Sequence, residues 1–188
     1  MILIEPPRST IAARRDPLNR RELARFARLA VEAAGCSGTV SVLLTNDERI
    51  RGLNREFRGK DSPTDVLSFP AVGWEFEAGS EHGNKSAGDL AISLETAAAQ
   101  AESLGHSLAI EVKVLILHGA LHLGGLDHET DDGEMARKEI RLRRRLGLPS
   151  GLIERSAMRA RRVRPAKKVE PSEKAPAKER RNISGGRA

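Results

Sequence analysis

Three of the chain's five histidines fall within eleven residues, His118-Gly-Ala-Leu-His122-Leu-Gly-Gly125-Leu-Asp127-His128. The apolar residues before and between them read as a helix, on which His118 and His122, four apart, share one face. Two imidazoles at that spacing can bind one ion. Gly125 can end the helix, because glycine tolerates the left-handed conformation that a sharp exit needs. The chain then turns back and delivers His128 as a third ligand. Three protein nitrogens around zinc leave a fourth position open for water, which is the arrangement of a catalytic site. A structural site normally takes a fourth protein ligand, usually cysteine. The single cysteine, Cys36, is far from the histidines in sequence and reads as a small buried hydrophobe.

The spacing is that of the metzincin zinc peptidases, H-E-x-x-H-x-x-G-x-x-H, with one letter changed. The glutamate that follows the first histidine and acts as general base in those enzymes is Gly119 here. The spacing therefore points to metal, and the missing carboxylate points away from peptide hydrolysis. A lone histidine on an apolar helix is more often a satisfied core residue. Three at positions i, i+4 and i+10, with glycine at the bend, point to one zinc ion per monomer. Imidazole also suits nickel and other divalent metals.

The elements that must position these residues are legible from period and punctuation. Residues 1–4 read as a short strand, and the proline-broken stretch to Asn19 as a loop. Leu23, Phe26, Ala27, Ala30, Val31 and Ala34 recur at helical spacing, with Gly35 as the stop. Thr39–Thr45 is a largely buried strand. Asn46 or Asp47 caps a helix carrying Ile50, Leu53, Asn54 and Phe57. Asp65–Phe69 is a strand stopped by Pro70, and residues 73–87, rich in Gly, Glu and Ser, are a flexible loop with His82 as a solvated residue. Gly88–Ser93 is another strand, and Ser93 caps a helix to about Leu104. The helix Ser107–Gly124, apolar almost all round, is the central buried one; His106, at its start, is out of phase with the histidine cluster. Asp131 or Asp132 caps a last helix with Met135, Ile140, Leu142 and Leu146. Strands and helices alternate unevenly around one buried helix, so the expected class is α+β rather than a doubly wound sheet.

Composition bounds the rest. The 188 residues, 39% hydrophobic, suffice for one core and one domain with an appendage. No apolar run is long enough to span a membrane, no segment reads as a signal peptide, and one cysteine fits a reducing cytoplasm. The net charge of +6 hides an asymmetry. From Arg155 to Ala188 there are 12 basic and 3 acidic residues, leaving 20 basic and 23 acidic residues in 1–154. The expectation is a folded domain over 1–150 and a basic, disordered tail over 151–188.

A second segment extends the reading. Leu53-Asn54-Arg-Glu-Phe57-Arg58-Gly-Lys60-Asp61-Ser-Pro63-Thr64-Asp65-Val66-Leu67-Ser68-Phe69-Pro70 closely resembles the signature of the YbeY family, the bacterial rRNA maturation endoribonucleases. Gly88-Asp89-Leu90-Ala-Ile92-Ser93 and His118–His128 follow in the order found in that family. The resemblance covers about residues 40–130, and more loosely 1–150; the basic tail lies outside the family's core.

The resemblance implies a single α+β domain with a mostly parallel, roughly four-stranded mixed sheet, packed on helices around the buried helix that carries the metal ligands. It implies a metal-dependent, single-strand-specific endoribonuclease acting in 16S rRNA 3′-end maturation and ribosome quality control. The implied partners are single-stranded RNA, above all the 16S rRNA precursor, and the small ribosomal subunit with its assembly factors; no DNA and no membrane are expected. His118, His122 and His128 carry over as zinc ligands, His118 also counting among the catalytic residues, and Arg58 as a catalytic or substrate-binding residue in the same cavity. Residue chemistry agrees. Arg58 and Lys60 lie at a helix end, where a guanidinium facing a groove can clamp a phosphate bidentately. By itself, without the resemblance, Arg58 reads more readily as a surface partner of Glu56 or Asp61. Asp127 reads as the carboxylate that orients a ligand histidine, or else as a turn cap, and Thr64-Asp65 as a turn-fixing pair. Two rivals stand beside this reading: a metzincin-like zinc peptidase, and a ribosome-assembly binding protein whose metal is only structural.

Overall fold

A computed structural model describes residues 1–4, 18–71 and 86–149. The expectations for the proline-rich loop after residue 4, for His82 and most of the 73–87 loop, and for the tail 151–188 lie outside the described residues. In chain order the elements are β1 (Ile2–Ile4), α1 (Arg20–Ala34), β2 (Thr39–Thr45), α2 (Asp47–Arg58), β3 (Val66–Pro70), β4 (Ser86–Ser93), α3 (Leu94–Leu104), α4 (Leu108–Leu123) and α5 (Glu134–Leu146). The class is α+β, as expected.

The strands form one sheet in the order β1-β2-β4-β3. β1, β2 and β4 run parallel, and β3 pairs antiparallel to β4 as an edge strand, with Leu67 opposite Ala91. Successive side chains on a strand point to opposite faces, and both faces are covered. Val40, Val42, Leu44, Leu90 and Ile92 point into the main core under α1 and α4. Leu43, Ala91, Leu67 and Phe69 point to the other face, where Ile50 and Leu53 of α2 close a smaller cluster.

α4 is the central helix. Val112, Val114, Leu115, Ile116, Leu117, Ala120 and Leu121 are all fully buried, and each large aliphatic among them stabilises the fold by roughly 1.5–3 kcal/mol. Ser107 caps it by accepting from Ile110 N–H. No single helix among the described residues is long and apolar enough to cross a membrane.

Some boundaries differ from the sequence reading. β4 begins at Ser86, inside the stretch expected to be loop, because Ser86 pairs with Thr39 across a register shift. Pro70 ends β3 from within, opposite Gly88; an edge strand tolerates the missing N–H. At α5, Gly133 occupies the cap position and the capping work is done from Asp131, whose carboxylate accepts from the backbone N–H of Gly133 and Met135.

Candidate metal centre and groove

α4 delivers two of the three imidazoles directly. His118 and His122 stand one turn apart on the face turned towards β3 and the 125–129 loop, with ring centroids 4.9 Å apart. The helix then closes as the sequence requires. Gly125 takes φ +82; its N–H donates to His122 O and Leu126 N–H donates to Leu121 O. That pair of bonds is the Schellman ending. It swings the chain back so that the His128 ring lies 5.2 Å from each of the other two.

The donor atoms fit one ion. One nitrogen from each ring lies within 4.8 Å of the others, and His118 Nε2 and His122 Nε2 are 3.3 Å apart. Two nitrogens at about 2.05 Å from a tetrahedral zinc are themselves about 3.3 Å apart. Cys36 is not part of this group: its thiol donates to Ala120 O, and burial raises its pKa.

His118 is held from behind. Its Nδ1 lies 3.2 Å from Glu139 Oε2, which assigns the proton to Nδ1 and leaves the Nε2 lone pair facing the other rings. Glu139 is fixed in turn by Arg143, whose Nε donates to Oε1 at 2.7 Å, with a second guanidinium nitrogen on the same oxygen. Arg143 Nη1 reaches Pro149 O at 3.0 Å. Glu139 and Arg143 are almost fully buried. Burial alone would raise the Glu139 pKa, but the His118 hydrogen bond and the charges of His118 and Arg143 outweigh it and hold the carboxyl below its usual value.

Sequence reasoning did not find this chain of contacts. Met135, Glu139, Leu142 and Arg143 form the buried stripe of α5 at i, i+4, i+7 and i+8, and half of that stripe is charged. Asp127, the carboxylate expected to orient a ligand, instead accepts from Glu129 N–H at 3.0 Å and caps the turn. The same turn-capping bond, together with its charge interaction with His122 and His128, contributes to a lowered pKa.

Buried beside two other imidazoles, His122 favours the neutral state. Burial, then the charges of His118 and His128, bring the His122 pKa down from 6.5 to about 4. The unfolded chain therefore binds more protons than the folded one between these values, and folding stability rises with pH across that window. Metal-free protein is expected to melt at a lower temperature at pH 5 than at pH 7, and His122→Ala should remove most of the difference. Calorimetry on chelator-treated protein checks this; equal melting temperatures at the two pH values would contradict it.

Gly119 has a packing reason. A β-carbon there would stand 2.7 Å from Leu90 Cδ2 and 3.1 Å from Ser68 Oγ, and Ser68 donates to Gly119 O. A glutamate at this point of α4 would therefore have to displace the side chains of the buried Leu90 and of Ser68. Gly119→Glu should lose more than about 2 kcal/mol, the scale of overpacking plus burial of an unpaired charge, and should gain no peptidase activity. Denaturant unfolding at wild-type midpoint would show that the site relaxes freely.

The rings open into a groove of about 680 Å³, lined by Phe57, Arg58, residues 64–70, His118, His122 and residues 125–129. Arg58, the last residue of α2, is half-exposed in it, 3.9 Å from Glu129 Oε2. Of the two surface partners considered from sequence, Glu56 and Asp61, Asp61 is taken: it accepts two bonds of 2.8 Å from Arg51. Lys60 is exposed and does not line the groove. Asp65 fixes the turn, accepting from Val66 N–H, Thr64 Oγ1 and Gln100 Nε2.

Comparison with known proteins agrees with the geometry. The sequence model of one family, described as Endoribonuclease YbeY, matches residues 13–147. A protein of Koribacter versatilis named Endoribonuclease YbeY is 48% identical over 146 residues, 78% of this chain and 90% of that protein. One of the same name from Solibacter usitatus is 47% identical over 152 residues, 80% and 96% of the two chains. A third, from Aquifex aeolicus, is 46% identical over 123 residues, 65% and 78%.

Proposed function

The chain belongs to the Endoribonuclease YbeY family, and on that basis we propose that it is a metal-dependent endoribonuclease specific for single-stranded RNA, acting in 16S rRNA 3′-end maturation and ribosome quality control. The observation that carries the chemistry is the groove itself, in which three imidazoles with ligand geometry and one half-exposed arginine line the same cavity. His118, His122 and His128 would hold one zinc ion per monomer, with nickel or another divalent metal as the substitute. A bound zinc supplies Lewis acidity towards a phosphoryl oxygen and lowers the pKa of water.

The remaining work falls to the chain's own side chains. Arg58 exchanges its long contact with Glu129 for a phosphate, which its planar fork can hold bidentately. Glu139, fixed by Arg143, keeps the His118 ring in one tautomer and orientation. Asp127 stays beside His122 and His128 as a fixed negative charge. Lys60, exposed outside the groove lining, acts on RNA beyond the scissile phosphate.

In this reading residues 1–150 are the nuclease domain and 151–188 a basic tail that adds salt-dependent RNA affinity. The working place is the cytoplasm, on the small ribosomal subunit with its assembly factors. Neither rival is supported by the relatives, and a peptidase base in place of Gly119 would have to displace Leu90 and Ser68. Incubation of metal-loaded protein with single-stranded RNA, the same RNA as a duplex, and unfolded casein tests the assignment. Cleavage of the single strand alone is expected; cleavage of casein alone would overturn it.

A further inference from the structure

Phe57 lines the groove, and neither the histidines nor Arg58 account for it. The chain has four phenylalanines, one tryptophan and no tyrosine, yet two of the four, Phe57 and Phe69, line this groove. Phe57 is 59% exposed, although removing a phenyl ring from water is favourable. Its ring meets Phe69 in an edge contact, with centroids 5.1 Å apart and planes at 73°. Such a contact occupies at most one of the two ring faces, and the exposure leaves the rest to solvent. The backbone that carries the ring is fixed: Phe57 sits in the last turn of α2, which ends at the left-handed cap Gly59. Phe57 and Arg58 therefore leave the same helix end together, into the groove that contains His118, His122 and His128.

An exposed aromatic face beside a cation is what an unpaired nucleotide needs, a π surface for the base and a positive charge for the phosphate. We propose that Phe57 is a stacking platform for one unpaired base of the RNA, that of a nucleotide flanking the phosphate held at Arg58. This rests on the endoribonuclease reading and adds a subsite to it. Every base has a π face, so the subsite tolerates any sequence. It discriminates by strandedness instead, because a base inside a duplex is already covered by its neighbours.

The test is cleavage of a short single-stranded RNA in which an abasic nucleotide is walked along the chain from the cleavage position. Metal-loaded wild-type protein should show KM raised roughly tenfold to a hundredfold at one abasic position, the scale of losing one stacked base. Phe57→Ala should show a similar rise on the complete RNA and no further rise at that position. Phe57→Trp, in a background where the single natural tryptophan, Trp74, is replaced by Phe, should restore wild-type KM and report binding by fluorescence quenching. Metal content and melting temperature should not change, since the ring is mostly in solvent. A wild-type KM for Phe57→Ala on the complete RNA, or undiminished sensitivity to the same abasic position, would overturn the subsite alone. No cleavage of any RNA by the wild-type protein would overturn the endoribonuclease reading and the subsite with it.

Discussion

Replacing His122 by alanine should abolish stoichiometric metal binding and, with it, RNA cleavage. His122 supplies the nitrogen that stands 3.3 Å from His118 Nε2, and without it the ion is left with two protein ligands. Two imidazoles make a weak, exchangeable site, whereas three preset donors make a catalytic one. The fold should survive. His122 is only half-buried, the core residues of α4 are untouched, and the loss removes a ring whose protonation the folded state resists. The stabilisation that wild-type protein gains from added zinc, which grows with ligand concentration over Kd, should disappear in the variant. Metal analysis after dialysis, together with cleavage of single-stranded RNA, reads the result. A His122→Ala protein that keeps one equivalent of tightly bound metal has a different ligand set from the one described.

Arg58→Glu should leave the metal in place and lower cleavage by on the order of a hundredfold or more, the scale of losing one preorganised donor with repulsion added. Arg58 is not among the three ligand residues, and its ion pair is the long one to Glu129. Both side chains are close to half-exposed, so this pair contributes little to stability, and the variant should melt close to wild type. The glutamate would instead set a negative charge where a phosphate must lie, next to Glu129. Arg58→Lys keeps the charge and loses the fork, and should fall between. Wild-type cleavage by metal-loaded Arg58→Glu would return Arg58 to the status of a surface residue.

Much of the site was legible because its signals are local. The i, i+4, i+10 histidines and the glycine at the bend define a helix, its end and a return, and Gly125 adopts the left-handed conformation that this needs. The mostly parallel sheet came from the family resemblance rather than from period alone, since a short apolar run does not reveal its neighbour's direction. The buried support of His118 was not legible. Glu139 and Arg143 are charged residues in a helix rich in charge, and nothing in hydropathy separates them from the exposed Arg141, Arg144 and Arg145. Only the phase shared with Met135 and Leu142 marks them, and that signal becomes readable once α5 is known to pack against α4. Phe57 fails in the opposite sense. Its spacing from Ile50, Leu53 and Asn54 suggests a core position, but α2 ends one residue later and the ring reaches the groove instead.

The central claim is that His118, His122 and His128 together hold one ion on which RNA cleavage depends. Titration of metal-free wild-type protein, purified without a histidine tag, with zinc addresses it most directly, following bound metal and the rate of single-stranded RNA cleavage in the same samples. Both should rise together and break at one equivalent per monomer, and a chelator should reverse both. Full cleavage by metal-free protein, or saturation with metal and no cleavage, would contradict the account.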